Sequence, residues 1–250
     1  MTVMRGIDRL RGKRLLAAFL ALLVLLCAGA LGACRSADSG ADGADALAYT
    51  LQHSWPGDTL FMGTYAGEPL QWRVLDRDDA TGRILLITEY VIEDIAYLQG
   101  GGNTTWAECT LRTWLNGEFI DAAFTADEQR FLMETMLMTP GSTKFQTRGG
   151  SPTNDRVFCL SIEELQKYFR CMPERKTTAT AHALEEGVSE FGGGAHWWSR
   201  SPGRYQDNIA YVTPAGNIDL YGINVGRENY MGVRPAMWVM MVPADAKGGR

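Results

Sequence analysis

Trp197-Trp198-Ser199-Arg200-Ser201-Pro202-Gly203 and Gly232-Val233-Arg234-Pro235-Ala236-Met237-Trp238 are the stretches on which the reading of this chain turns. Each is a short, largely apolar run interrupted by Pro and Gly, the pattern of strands bounded by turns. Asn208–Val212 and Asn217–Leu220 lie between them and read the same way, so the last third is a set of short strands. Neighbours on a strand point to opposite faces, which places one of Trp197 and Trp198 in the core and leaves the other for a surface groove. Trp198 is the groove candidate, because an exposed indole stacks well on a sugar ring or an apolar ligand. Arg200 shares its face and either forks onto a carboxylate or anchors backbone carbonyls in the following turn. Arg234, boxed between Val233 and Pro235, needs a partner because an unpaired buried charge is costly. A structural ion pair with Asp207, Asp219 or Glu228 is the expectation. Pro235 cannot donate to a ladder, which suggests an edge strand or a bulge.

Working back from these strands, Thr59–Thr64, Leu70–Asp76 and Arg83–Thr88 read as an opening antiparallel meander. Leu111, Trp114, Leu115 and Phe119 fall on one face of an amphipathic helix. Thr125 and Glu128 have capping-box spacing and open a second helix containing Phe131 and Leu132; Ser161 and Glu164 repeat the signal. Residues 139–155 and 173–195 show no strong period and read as long loops. Strands, then helices and loops, then strands again is an α+β order rather than an alternating βαβ one.

The amino terminus carries its own signal. Arg5, Arg9, Arg11, Lys13 and Arg14 precede the apolar run Leu15–Leu26, and Leu31-Gly32-Ala33-Cys34 resembles a bacterial lipobox. The expectation is cleavage before Cys34 and a diacylglycerol on its thiol, with an uncleaved membrane anchor as the alternative. Either way the rest of the chain works outside the cytoplasmic membrane. The divisions are then a signal peptide (1–33), the lipidated Cys34 with a flexible tether (34–54), the folded domain (55–243) and a flexible tail (244–250). The tether reading rests on the Ala, Asp, Gly and Ser content of residues 35–51.

Removing residues 1–33, which carry five basic side chains and one acidic one, takes the formal charge from −5 to −9. Such a chain has no excess cation to neutralise phosphates, which argues against a nucleic-acid partner. Membrane association therefore falls to the lipid on Cys34. Cys109, Cys159 and Cys171 remain in the domain, an odd number that permits one disulfide at most. No Cys/His pattern suggests zinc, and no motif calls for a cofactor. His53, His182 and His196 are scattered, and Glu93-Asp94 and Glu185-Glu186 are adjacent carboxylates of the usual solvated kind. Acid–base work by these carboxylates, or a Cys171–histidine pair, is the enzymatic alternative.

Trp114-Leu115-Asn116 with Phe119, the 157–169 segment and the two opening motifs together resemble a bacterial family catalogued as domain of unknown function 6273. The resemblance runs over about Gly57 to Val242. It implies a relative of the C-type-lectin-like fold: antiparallel strands, a few short helices and long loops, with a late, loop-rich section presenting a binding surface. Formylglycine-generating enzymes share that fold and use a late pair of cysteines, whereas no cysteine follows Cys171 here. The calcium-ligating triplets of calcium-dependent lectins are also missing, so no metal is expected.

The candidate ligand-binding residues are Trp198, Arg200, Tyr205, Asn208, Tyr221, Asn224, Arg227 and Tyr230. Tyr and Asn on strand connections combine stacking with adaptable hydrogen bonding, and they are also ordinary turn residues. The expected function is non-catalytic binding of a carbohydrate, cell-envelope polymer or protein partner. An envelope glycan- or peptide-processing enzyme and a subunit of a surface assembly are the alternatives.

Overall fold

The computed structural model describes residues 39–226 and 230–243. The lipobox with Cys34, the start of the expected tether, Arg227, Glu228 and the tail at 244–250 lie outside the described residues. The fold is α+β, built mostly of strands with a few short helices. Its elements in chain order begin with α1 (Ser39–His53), β1 (Thr59–Tyr65), β2 (Glu68–Asp78), β3 (Arg83–Thr88) and β4 (Glu93–Asp94). Next come α2 (Thr110–Asn116), α3 (Glu118–Ala123), α4 (Ala126–Gln129), β5 (Thr135–Leu137) and β6 (Thr153–Asp155). Three short helices follow: α5 (Ile162–Tyr168), α6 (Met172–Arg175) and α7 (Ala181–Glu186). The chain closes with β7 (His196–Pro202), β8 (Asn208–Val212), β9 (Ile218–Asn224), β10 (Met231–Val233) and β11 (Ala236–Met240).

The expected meander is present: β1, β2 and β3 pair antiparallel in sequence, and β11 closes that sheet against β3. A second, five-stranded sheet has the order β4-β10-β7-β8-β9, antiparallel except where β10 meets β7. Both capping boxes form, with Thr125 and Ser161 as the caps. The α4 helix is nevertheless only one turn long, and Phe131 and Leu132 follow it rather than lying on it. The helix expected through Phe119 is split into α2 and α3, because Gly117 between them has non-helical dihedrals. The 173–195 loop is partly ordered as α6 and α7, the latter capped by Thr180.

The tether reading is overturned where the structure can be seen. Residues 39–53 form α1, and Ala44, Leu47, Ala48 and Leu51 recur at i, i+3, i+4 and i+7 along it. Leu51 is 0% exposed, and the other three pack on the core. Two alanines in an apolar stripe look like linker composition, but at helical spacing they allow a close approach to the sheet. The Arg77 guanidinium donates to Ser54 O (2.8 Å) and holds the helix exit.

The final apolar stretch is not one strand. β10 ends at Val233 in the five-stranded sheet, and β11 begins at Ala236 in the four-stranded one. Arg234-Pro235 is therefore the crossing between sheets, where a residue without an N–H costs the ladder nothing; Pro235 O accepts from Thr88 N (2.9 Å). Arg234 is 0% exposed and forms no ion pair among the described residues. This corrects the expected partners Asp207, which is held by Asn224, and Asp219, held by its own strand and Tyr211; Glu228 lies outside the described residues. Instead the guanidinium lies 5.0 Å from the Trp197 ring centre and 5.6 Å from that of Phe169, with Nε donating to Thr88 O (2.7 Å). Burial pushes its pKa down to about 9, opposed by the nearby Glu89 carboxylate, so it is still a cation at neutral pH.

Two stability measurements check these packing arguments. Leu51→Ala should cost about 2–5 kcal/mol in urea unfolding; no change would return residues 39–53 to a tether. Arg234→Met, which keeps the volume and removes the charge, should stay within about 1 kcal/mol of wild type or exceed it. Arg234→Ala should lose about 3–5 kcal/mol through the cavity it leaves. Equal damage from Met and Ala would mean that the charge itself is indispensable.

Candidate functional site

The exposed aromatic residues of the late strands are set by backbone geometry. In the turn from β7 to β8, Gly203 N donates to Asn208 O (2.8 Å), Asn208 N to Tyr205 O (3.0 Å) and Arg204 N to Tyr221 O of β9 (2.8 Å). Gly203 has to be glycine, because a Cβ there would come within 2.6 Å of Tyr221 O. The 139–151 loop folds over this turn: Thr147 Oγ1 donates to Gly203 O (2.7 Å) and Arg148 N to Gln206 Oε1 (3.0 Å). Gln206 Nε2 in turn donates to Thr104 O (2.8 Å) and Arg148 O (3.1 Å). One glutamine thereby fastens three chain segments.

On this platform Tyr205 and Tyr221 are 57% and 51% exposed. Phe145 packs against Tyr221 with ring centres 5.1 Å apart. Lys144 and Arg204 lie over these rings. Beside them, Thr105, Glu108, Thr139, Arg148, Gly149 and Ser151 line a cleft of about 500 Å³. A second cleft, of about 650 Å³, includes Arg73, Asp76, Lys167, Tyr168 and Glu174 in its wall. Its charges are matched internally: Lys167 with Asp76 (3.1 Å), Arg170 with Glu174 (3.1 Å) and Arg73 with Glu89. A ligand there would have to break existing ion pairs, so the late-turn surface is the stronger candidate.

The sequence-derived candidates separate into groups. Tyr205 and Tyr221 are exposed, Tyr205 in the β7–β8 turn and Tyr221 on β9 rather than on a connection. Asn208 and Asn224 build the turn beneath them: the Asn224 amide donates to Asp207 Oδ2 (3.1 Å), and the Asn208 amide, turned with its nitrogen toward Asp207, donates to Oδ1 (2.9 Å). Tyr230 is half-buried against His196, with ring centres 5.1 Å apart. Trp198 does not face a groove. It is 0% exposed, packs edge-on to Tyr97 and donates from Nε1 to Ile95 O (2.9 Å). The two indoles do take opposite sides of β7, but this strand is interior to its sheet and covered on both faces. Arg200 is likewise structural: it forks onto Glu164 and donates to Cys159 O (2.9 Å), tying α5 to β7. Phe145, Lys144, Arg148, Arg204 and Gln206 were missed, although the aperiodic 139–155 stretch had marked the segment that carries three of them.

Of the enzymatic candidates, His182, Glu93 and Glu186 come together, without Cys171. His182 Nε2 lies 3.0 Å from Glu93 Oε2, which also accepts from the Tyr65 hydroxyl (2.7 Å), while Glu186 is 4.0 Å from Nδ1. Burial, and then the Glu93 carboxylate, raise the Tyr65 pKa well above its usual value. These residues line neither of the two clefts. Cys171 is exposed and hydrogen-bonds to neither histidine; His196 sits among Tyr211, Tyr230 and Phe191. Among the described residues no group of His, Cys, Asp and Glu could hold a metal ion, and no helix is long and apolar enough to cross a membrane. All three described cysteines are free.

The model for the family described as domain of unknown function (DUF6273) matches residues 81–241, and the chain belongs to that family. No curated protein and no solved structure matches the chain.

Thiol labelling of the native protein tests the core assignments. Burial pushes the Cys109 thiol up to about 12 and raises Cys159 further, so neither supplies thiolate near neutral pH. Peptide mass spectrometry after iodoacetamide should find Cys171 modified and Cys109 and Cys159 protected until denaturant is added. Early modification of Cys159 would contradict the packing beneath Arg200.

Proposed function

We propose that this member of the family is a lipid-anchored, extracytoplasmic, C-type-lectin-like domain that binds a carbohydrate or cell-envelope polymer without transforming it. The observation that carries this reading is the exposed pair Tyr205 and Tyr221, with half-buried Phe145 against Tyr221, on a platform fixed by backbone hydrogen bonds. Large rings held rigidly in water bring contact area at little conformational cost. Water-exposed aromatic residues of this kind contribute little to folding, so their role is sought in recognition. The cleft of about 500 Å³ beside them gives an extended ligand room to continue. The location is supported by the sequence, in which the lipobox-like Leu31-Gly32-Ala33-Cys34 follows a charged and apolar stretch of the export-signal kind.

The full chain in a non-ionic detergent, followed by its tryptophan fluorescence, should melt at a higher temperature as a bound envelope oligosaccharide is titrated in. The shift should saturate and vanish in Tyr221→Ala, and the oligosaccharide should be recovered intact. A shift retained in a Tyr205→Ala, Tyr221→Ala double variant would place binding elsewhere. Breakdown of the ligand would make the protein an enzyme.

A further inference from the structure

The rings of the late turns do not offer bare faces. Lys144 Nζ lies 4.6 Å from the centre of the Tyr221 ring and 5.0 Å from that of Phe145. Arg204 Cζ lies 5.2 Å from the Tyr205 centre and 5.9 Å from that of Tyr221. Two cations thus share one tyrosine, each drawn to the negative face of the ring. A neutral sugar could stack on Tyr221 only by displacing one of them. An anion has no such obstacle, because it meets N–H groups that are already positioned and that the protein does not otherwise use.

The absence of other partners is informative. Among the described residues, the side chains of Lys144, Arg148 and Arg204 form no ion pair and no hydrogen bond, whereas Arg73, Arg77, Arg83, Arg112 and Arg200 are all matched to carboxylates. The carboxylates of the neighbourhood are engaged by neutral donors. Asp219 accepts from the backbone N–H of Tyr221 and Gly222 and from the Tyr211 hydroxyl. Asp207 accepts from the Asn224 amide, and Glu108, in the cleft, accepts from Thr105. None of the three pairs with the cations. In a chain whose formal charge is −5, three such cations beside exposed aromatic rings are a local exception.

Resting on the reading of this surface as the ligand site, we propose that Lys144 and Arg204 seat a carboxylate or phosphate group of an acidic polysaccharide. Arg148 carries the basic track on into the cleft. A guanidinium drawn to a ring and bonded to no other group keeps N–H groups free for a forked hydrogen bond to an oxyanion. The acidity of the whole chain repels a polyanion at long range, so affinity comes from these contacts and weakens as salt screens them.

The test titrates the full chain in non-ionic detergent with four probes: oligogalacturonate, its uncharged methyl ester, phosphorylated dextran and plain dextran. Wild type, Lys144→Gln/Arg204→Gln and Tyr221→Ala are compared at low and physiological salt. The substituted cations are exposed, so melting temperatures should be unchanged. At least one charged probe should bind, at least about tenfold more tightly than its uncharged counterpart, and lose about tenfold or more in the double glutamine variant. The carboxylate and phosphate arms identify the group. Charged binding unaffected by the glutamines would overturn the seat, and so would no binding of any probe. Equal binding of charged and uncharged probes, lost in Tyr221→Ala alone, would overturn the charge inference and leave the ring surface standing.

Discussion

The two sheets are joined through a buried cation. Arg234 sits where the chain leaves the five-stranded sheet and enters the four-stranded one, against the rings of Trp197 and Phe169. Withdrawing a guanidinium from water costs several kcal/mol when no carboxylate compensates. Here two ring contacts, each worth about 2 kcal/mol or more when desolvated, and the hydrogen bond from Nε to Thr88 O offset part of that cost, while Nη1 and Nη2 have no hydrogen-bond partner. The arrangement demands that a tryptophan of β7, an aromatic residue after α5 and the end of β3 all meet at one point. It therefore fixes the mutual placement of elements that are far apart in sequence.

The same demand uses up the surface of β7. Trp197 is required under Arg234 on one side, and Trp198 fills the space against Tyr97 on the other. Arg200, two residues on, is spent on Glu164 and on the carbonyls around β7. A strand with both faces committed has nothing left to offer a ligand. The exposed aromatic residues lie instead at its far end, where the chain turns and Tyr205 and Tyr221 emerge.

Sequence patterns reached the elements that rest on local rules. The meander strands, both capping boxes and β8 were legible because alternation and cap chemistry act over a few residues. The failures came where tertiary contacts decide. The α1 stripe includes two alanines, which register as neutral until a partner surface is known. The expected strand through Arg234-Pro235 was continuous on composition, and only the sheet assignments reveal the crossing. Trp198 and Arg200 looked functional because exposed Trp and Arg often are, and burial on both faces of an interior strand is invisible in one sequence. Tyr205 was legible as a polar aromatic residue on a turn, whereas Tyr221 lies on β9. Phe145 and Lys144 were not legible, since their proximity to Tyr221 depends on a loop folded back by Thr147 and Gln206.

That fold-back also changes the chemistry of the surface. Had the 139–151 loop stood away from the β7–β8 turn, Tyr205 and Tyr221 would present open faces suited to neutral rings. With the loop pinned, Lys144 covers the same tyrosine that Arg204 approaches, and the cations become part of the ring surface. Each cation–π contact is worth only about 0.5–1 kcal/mol at an exposed site, too little to matter for folding but enough to restrict the rotamers of two long side chains. Those rotamers otherwise cost entropy at the moment of binding. The loop thus converts two ordinary surface cations into partly pre-organised ones, and it does so through the hydrogen bonds of the Thr147 hydroxyl, the Arg148 N–H and Gln206.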